Sequence, residues 1–261
     1  MKERIITAGA LIGVAIAALL MGDIGISILI TAFIAIACFE VYDLKKNKIA
    51  PIMLPIIALF TFVGGFDPLA LGLNFYIILL LVTLFFLSIC FEWFGFEEVS
   101  YSFIMITILM LAVGSIKLVQ TYPLMVLLYI FIATFATDTF AYFGGTFFGK
   151  TKLIPRISPK KTVEGAIIGY IASILLSITF GHFFLRTILG YKLIFVLSFL
   201  IPIFSQIGDL SFSIIKRHFK LKDFGSIFPG HGGVLDRIDS VVFALLTFSM
   251  VLSVFARLLW L

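Results

Sequence analysis

Three aspartates near the end of an otherwise oily chain have the types and spacing of a metal site. Asp209 lies inside one apolar run, and Asp236 and Asp239 open the next. A carboxylate at the centre of a membrane helix costs roughly 2.5–3.5 kcal/mol, so each acid needs water, a cation or a basic partner. At steps of three and four residues, Ser205, Asp209, Phe212, Ser213 and Lys216 fall on one helix face. Asp236, Asp239 and Ser240 share a face in the same way. Two acidic faces at similar depth predict a divalent-cation site built from Asp209, Asp236 and Asp239. Oxygen ligands suit Mg²⁺, which keeps waters and is commonly shared with phosphates. No His or Cys cluster competes for zinc. Asp138, inside an earlier run, is a fourth acid in need of a partner.

Between the two acidic faces the chain reads KRHFKLKDFGSIFPGHGG, residues 216–233. Gly225, Gly230, Gly232 and Gly233 allow backbone N–H groups close to an anion. Gly232 and Gly233 also precede a helix start, where amides and dipole favour phosphate. Lys216, Arg217, Lys220, Lys222 and Arg237 surround the segment with positive charge. Cations interleaved with acids suit a metal-bound polyphosphate, although no GxxxxGK[ST] loop is present. A second polar segment, KTKLIPRISPKKTVEG, spans residues 150–165. Its later part, Ser158 to Glu164, is expected to open a helix, with Thr162 as N-cap and Glu164 in the first turn. Lys160 and Lys161 oppose the dipole there, and a docked anion would account for them.

The elements that must position these groups are membrane helices. Of the 261 residues, 62% are hydrophobic and 13% charged, with 31 phenylalanines. Soluble domains are nearer 45–50% apolar and about 25% charged. The apolar runs are too long and too uniform for barrel strands, so an all-α, polytopic helix bundle is expected. Nine spans are predicted, at about 5–21, 24–42, 50–66, 72–91, 101–118, 123–149, 164–185, 193–215 and 236–258. The first is read as a retained helix rather than a cleaved signal. Cys38 and Cys90 lie inside apolar runs and are read as packing residues. With nine spans, only Lys117, Arg186, Lys192 and Arg257 of the 19 Lys and Arg fall on one side. The other 15 share the side of the N-terminus, which is therefore expected to be cytoplasmic, together with both polar segments. Residues 1–122 are expected to form a supporting bundle, and residues 123–261 to carry the site.

The two polar segments resemble a known family. Ser211-x-x-x-x-Lys216-Arg217, Lys222-Asp223-x-Gly225 and Pro229-Gly-His-Gly-Gly-x-x-Asp236-Arg237-x-Asp239 are similar to the signature of phosphatidate cytidylyltransferases. Ser158-Pro-Lys-Lys-Thr-x-Glu164-Gly165 resembles their second block. The resemblance implies transfer of CMP from CTP to phosphatidate, giving CDP-diacylglycerol and diphosphate, with Mg²⁺, in a bacterial inner-membrane homodimer. It further implies that Asp209, Asp236 and Asp239 serve the metal, and that Lys222, Asp223, His231 and Arg237 position nucleotide and phosphates. Lys160, Lys161 and Glu164 are carried over as substrate-binding residues. Phosphatidate already bears an ionised nucleophile, so the reaction needs charge cancellation and alignment more than a base. No nucleic-acid partner is expected. A CTP-dependent polyprenol or phytol kinase is the nearest alternative. A cation-coupled transporter is a more distant one, since its acids should recur in two halves, and here they gather in the last third.

Overall fold

The computed structural model describes residues 9–10, 13–14, 16–44, 50–228 and 232–259. Among the described residues, the main helices of the fold are α1 (Gly22–Asp43), α2 (Met53–Phe66), α3 (Leu73–Cys90), α4 (Phe96–Val119), α5 (Leu124–Phe148), α6 (Val163–Phe184), α7 (Gly190–His218) and α8 (Leu235–Leu259). Between α5 and α6 lie two short strands, β1 (Lys152–Ile154) and β2 (Ser158–Thr162). All the helices except α2 are long and apolar enough to cross a bilayer, seven among the described residues. The helical membrane bundle expected from composition is thus present. Seven residues of the span expected at 5–21 lie outside the described residues, and 9–10, 13–14 and 16–20 are helical. The span expected at 50–66 is shorter than anticipated. At 1.5 Å per residue its 14 residues reach about 21 Å, against about 30 Å of hydrocarbon.

Two compact units divide the chain, one of Met1–Gly114 with Leu221–Arg237, the other of Ser115–Lys220 with Ile238–Leu261. In the first, glycines let helices close to contact. A Cβ on Gly65 would lie 2.5 Å from Val113 Cβ, and one on Gly64 would strike the Met110 sulfur. Asp67 ends α2 in the left-handed region (φ 44°), and its carboxylate accepts from Leu71 N (2.9 Å) and Gly72 N (3.0 Å) to turn the chain into α3. The buried Tyr101 hydroxyl donates to the Val41 carbonyl at 2.9 Å, tying α4 to the last turn of α1.

In the second unit α5 and α6 meet backbone to backbone. A Cβ on Gly165 would lie 2.5 Å from the Ala141 carbonyl oxygen, and one on Gly169 2.5 Å from that of Thr137. Small residues four apart are how apolar helices pack where lipid removes the hydrophobic drive. The Ser173 hydroxyl adds a bond to the Ala133 carbonyl at 2.6 Å. Farther along α5, the buried Tyr129 hydroxyl bonds Ser198 Oγ at 2.7 Å and the Ile194 carbonyl at 3.1 Å, fixing α7.

The β-hairpin corrects one expectation. Ser158 to Lys161 do not open a helix but form an antiparallel strand, with Lys152 opposite Thr162 and Ile154 opposite Ser158. Pairing with β1 holds these residues extended, and the edge of a two-stranded sheet tolerates Pro159. The helix starts at Val163, and Thr162 is its N-cap as expected, its side chain accepting from Gly165 N at 3.2 Å. Thr162→Ala removes that bond and lowers stability by about 1 kcal/mol, read as a small fall in melting temperature in detergent.

Candidate active site

Four elements of the second unit bring acids and lysines together. Asp209 on α7 is ion-paired with Lys161 at the end of β2. Both side chains stay partly open, at 25% and 30% exposure. Next to Asp209, Gly208 lets α7 touch α8. A Cβ there would lie 2.7 Å from the Asp239 carbonyl oxygen and 2.8 Å from Phe243 Cβ. That approach carries the buried Asp239 carboxylate into the field of Asp209 and Asp138, with Lys216 as the facing cation. Asp239 Oδ1 also accepts from Ser240 N at 2.8 Å. From α5, Asp138 hydrogen-bonds with the Ser240 side chain and lies in the field of Lys161 and Asp209. Ser213 and Lys216 are buried on the same α7 face, as the helical spacing anticipates.

Three carboxylates face two ammonium groups, leaving one negative charge in formal excess. The donors are all oxygen, and a divalent cation suits both the charge and the chemistry. Among the described residues no three His, Cys, Asp or Glu side chains converge as a ready-made cage. The arrangement therefore fits a cation that takes one or two carboxylates and completes its shell with phosphate oxygens and water, the habit of Mg²⁺.

Lys161, anticipated as the partner of a docked anion, has a partner in the protein itself. Lys160, its neighbour on the strand, is exposed. Glu164 serves the local structure, since its carboxylate accepts from the amides of Lys150 (3.1 Å) and Thr151 (3.1 Å) and so pins the hairpin to α6. Arg217 Nε donates to the Ile157 carbonyl at 3.2 Å, holding the hairpin turn against the end of α7.

The glycine-rich segment belongs to the first unit. Lys222 and Asp223 are exposed, as is Arg237. Gly230 and His231 lie outside the described residues. Asp236 Oδ2 accepts from Phe224 N at 2.7 Å and Gly233 N at 3.0 Å, closing the segment into a loop. Glu40 of α1 accepts from Val234 N at 2.7 Å and Leu235 N at 2.8 Å. Of the amides leading into α8, those of Gly233, Val234 and Leu235 are thus taken by the chain's own carboxylates. Gly232, at φ 83°, adopts a backbone that suits glycine, and a Cβ there would lie 2.9 Å from Asp236 Oδ2. Gly233 leaves room for Glu40, whose carboxylate a Cβ would strike.

Glu40 is a site residue absent from the sequence expectations, although a carboxylate inside an apolar run signals a functional or paired group. Asp138, an acid in need of a partner by sequence, finds Ser240 and Lys161 in the fold.

A family model described as the cytidylyltransferase family matches residues 2–255. The chain belongs to the cytidylyltransferase family. The acid–lysine group of α5, β2, α7 and α8 lies within the stretch that this cytidylyltransferase-family model matches. Several curated relatives bear the name phosphatidate cytidylyltransferase. That of Bacillus subtilis is 31% identical over 275 residues, covering 98% of this chain and 99% of its own. That of Haemophilus influenzae is 46% identical over 129 residues, covering 48% and 45%. That of Rickettsia typhi is 37% identical over 178 residues, covering 64% and 76%.

Proposed function

We propose that the protein is a phosphatidate cytidylyltransferase, which moves CMP from CTP to phosphatidate and yields CDP-diacylglycerol and diphosphate. The observation that carries this reading is the group Asp138, Lys161, Asp209, Lys216 and Asp239, in a chain that aligns end to end with the Bacillus subtilis phosphatidate cytidylyltransferase. An ionised phosphatidate oxygen bonds to the α-phosphorus of CTP. The bond from that phosphorus to the bridging oxygen breaks, and diphosphate leaves with the electron pair. The nucleophile arrives ionised, so no side chain need take its proton. Two anions must meet, and Lys161 and Lys216 reduce their repulsion from fixed positions. Asp209 orients the Lys161 ammonium, and Asp138 and Ser240 steady each other beside it. Asp209 and Asp239 would hold Mg²⁺, which supplies further neutralisation and alignment of phosphate oxygens when bound.

The charge split between the two sides supports a bacterial inner-membrane location with the site facing the cytoplasm. Lys160→Cys, in protein lacking Cys90, should then react with an impermeant maleimide in inverted vesicles and not in intact spheroplasts. A homodimer is the expected assembly, tested by light scattering in detergent. The decisive test of the reaction uses purified protein, phosphatidate, Mg²⁺ and CTP labelled on the α-phosphate. Label entering the lipid product supports cytidylyl transfer, and label confined to CDP would identify a kinase instead.

A further inference from the structure

We infer that Glu40 is a positioning residue for the segment Leu221–Arg237, acting from a helix far away in sequence. Glu40 is 2% exposed, and both of its carboxylate oxygens are engaged. Oε1 accepts from Val234 N and Oε2 from Leu235 N, 194 and 195 residues along the chain. These are amides at the very start of α8, donors that no helix satisfies internally. A negative charge there also complements the helix dipole. Two glycines make way for the side chain. A Cβ on Gly225 would lie 2.7 Å from Oε1, and one on Gly233 would strike the same oxygen.

The helix that carries Glu40 is itself held. Tyr101 grips the Val41 carbonyl, and two turns back on the same face Phe33 packs on Phe228, with ring centroids 6.4 Å apart. The segment is therefore seated on one face of α1 at two points. Glu40 fixes Val234 and Leu235, and the next residue, Asp236, closes the loop through Phe224 N and Gly233 N. Loss of the Glu40 contacts frees the amides beside Asp236 and loosens the loop that presents Lys222, Asp223 and Arg237. Helix α1 thus shapes the glycine-rich segment.

The kinetic part of this inference rests on the proposed cytidylyl transfer, with Leu221–Arg237 as the nucleotide-positioning segment. Glu40→Gln keeps the shape but sets an NH₂ group against one of the two amides. Hydrogen exchange at Val234 and Leu235 should accelerate at least tenfold in this variant, while α6 amides are unchanged. KM for CTP should rise roughly tenfold, with KM for phosphatidate within twofold of wild type. Gly225→Ala pushes the carboxylate off the amides from the other side and should show the same pattern, which keeps the test open if Glu40→Gln fails to fold. Unchanged exchange at Val234 and Leu235 in a folded variant of either kind overturns the inference. So does a fall in kcat with both KM values unchanged, the mark of a smaller active fraction, and so does failure of both variants to fold. Wild-type protein that labels no lipid would sink the proposed reaction instead, and the exchange result would still decide the contact.

Discussion

Asp209→Asn lowers turnover of CTP and phosphatidate by about 10²–10³-fold, the loss expected when one preorganised charge-handling group is removed. The amide has nearly the shape of the carboxylate, so the change is one of charge. Lys161 loses its ion-pair partner. The formal excess of negative charge over Lys161 and Lys216 disappears, and with it the attraction for a divalent cation. If Asp209 and Asp239 hold Mg²⁺ as proposed, half-saturation by Mg²⁺ moves to higher concentration as well. Folding is retained, because Asp209 is only partly buried and the amide oxygen can still accept from Lys161. Initial rates across a Mg²⁺ titration, with melting temperature and extraction yield as controls, check the result. Lys161→Met combined with Asp209→Asn should cost less than the two single effects added, because both remove one interaction. Wild-type turnover in Asp209→Asn would take the residue out of the site.

Gly169→Leu should unfold or badly loosen the second unit. A Cβ at this position would lie 2.5 Å from the Thr137 carbonyl oxygen and 2.8 Å from Ala141 Cβ, so even the first added carbon has no room. The neighbour at closest approach is backbone, which cannot swing aside as a side-chain tip can. Overpacking of this kind costs about 1–3 kcal/mol and more where backbone must part. A fall in melting temperature on the order of 10 °C follows for a chain of this size. Thr137 precedes Asp138, so separation of α5 from α6 also carries Asp138 away from Ser240 and Lys161. Activity is lost along with stability. Ile171→Leu, on an exposed position of the same helix, serves as the control and should leave both unchanged. A melting temperature like that of wild type in Gly169→Leu would show that the two helices can separate without penalty.

Several parts of this architecture were legible before any fold was known. Seven of the nine anticipated spans correspond to long helices, with edges displaced by five residues at most. The buried face of α7, with Ser205, Phe212, Ser213 and Lys216, follows from the helical period alone. Thr162 was recognisable as a cap because its chemistry is local. Ser158–Thr162 reads in sequence as a helix opening and is a strand in the fold. Its capping residue and first-turn acid are genuine helix-start signals, but the helix they open begins only at Val163. Pairing with Lys152–Ile154 keeps the residues before it extended.

The partners of charged groups were harder to read. Lys161 was conspicuous, but its engagement with Asp209 depends on how the hairpin lies against α7. The glycines of the segment before α8 suggested a cradle for phosphate. Gly225 and Gly233 in fact accommodate Glu40, and the helix-start amides are held by carboxylates of the same chain. A glycine-rich turn before a helix looks the same in sequence whether the anion comes from a ligand or from the protein.

Composition and hydrophobic run length by themselves determined the membrane class of this protein, the placement of most helices and the faces that carry its acids. Each depends on residues close together in the chain, where burial and hydrogen bonding follow from local order. Only the tertiary structure decided which anion meets which cation or amide. Contacts such as Glu40 with Leu235 join residues 195 positions apart, and no local propensity selects one acceptor among fourteen carboxylates. That choice was made by helix packing, through glycines that let backbones touch.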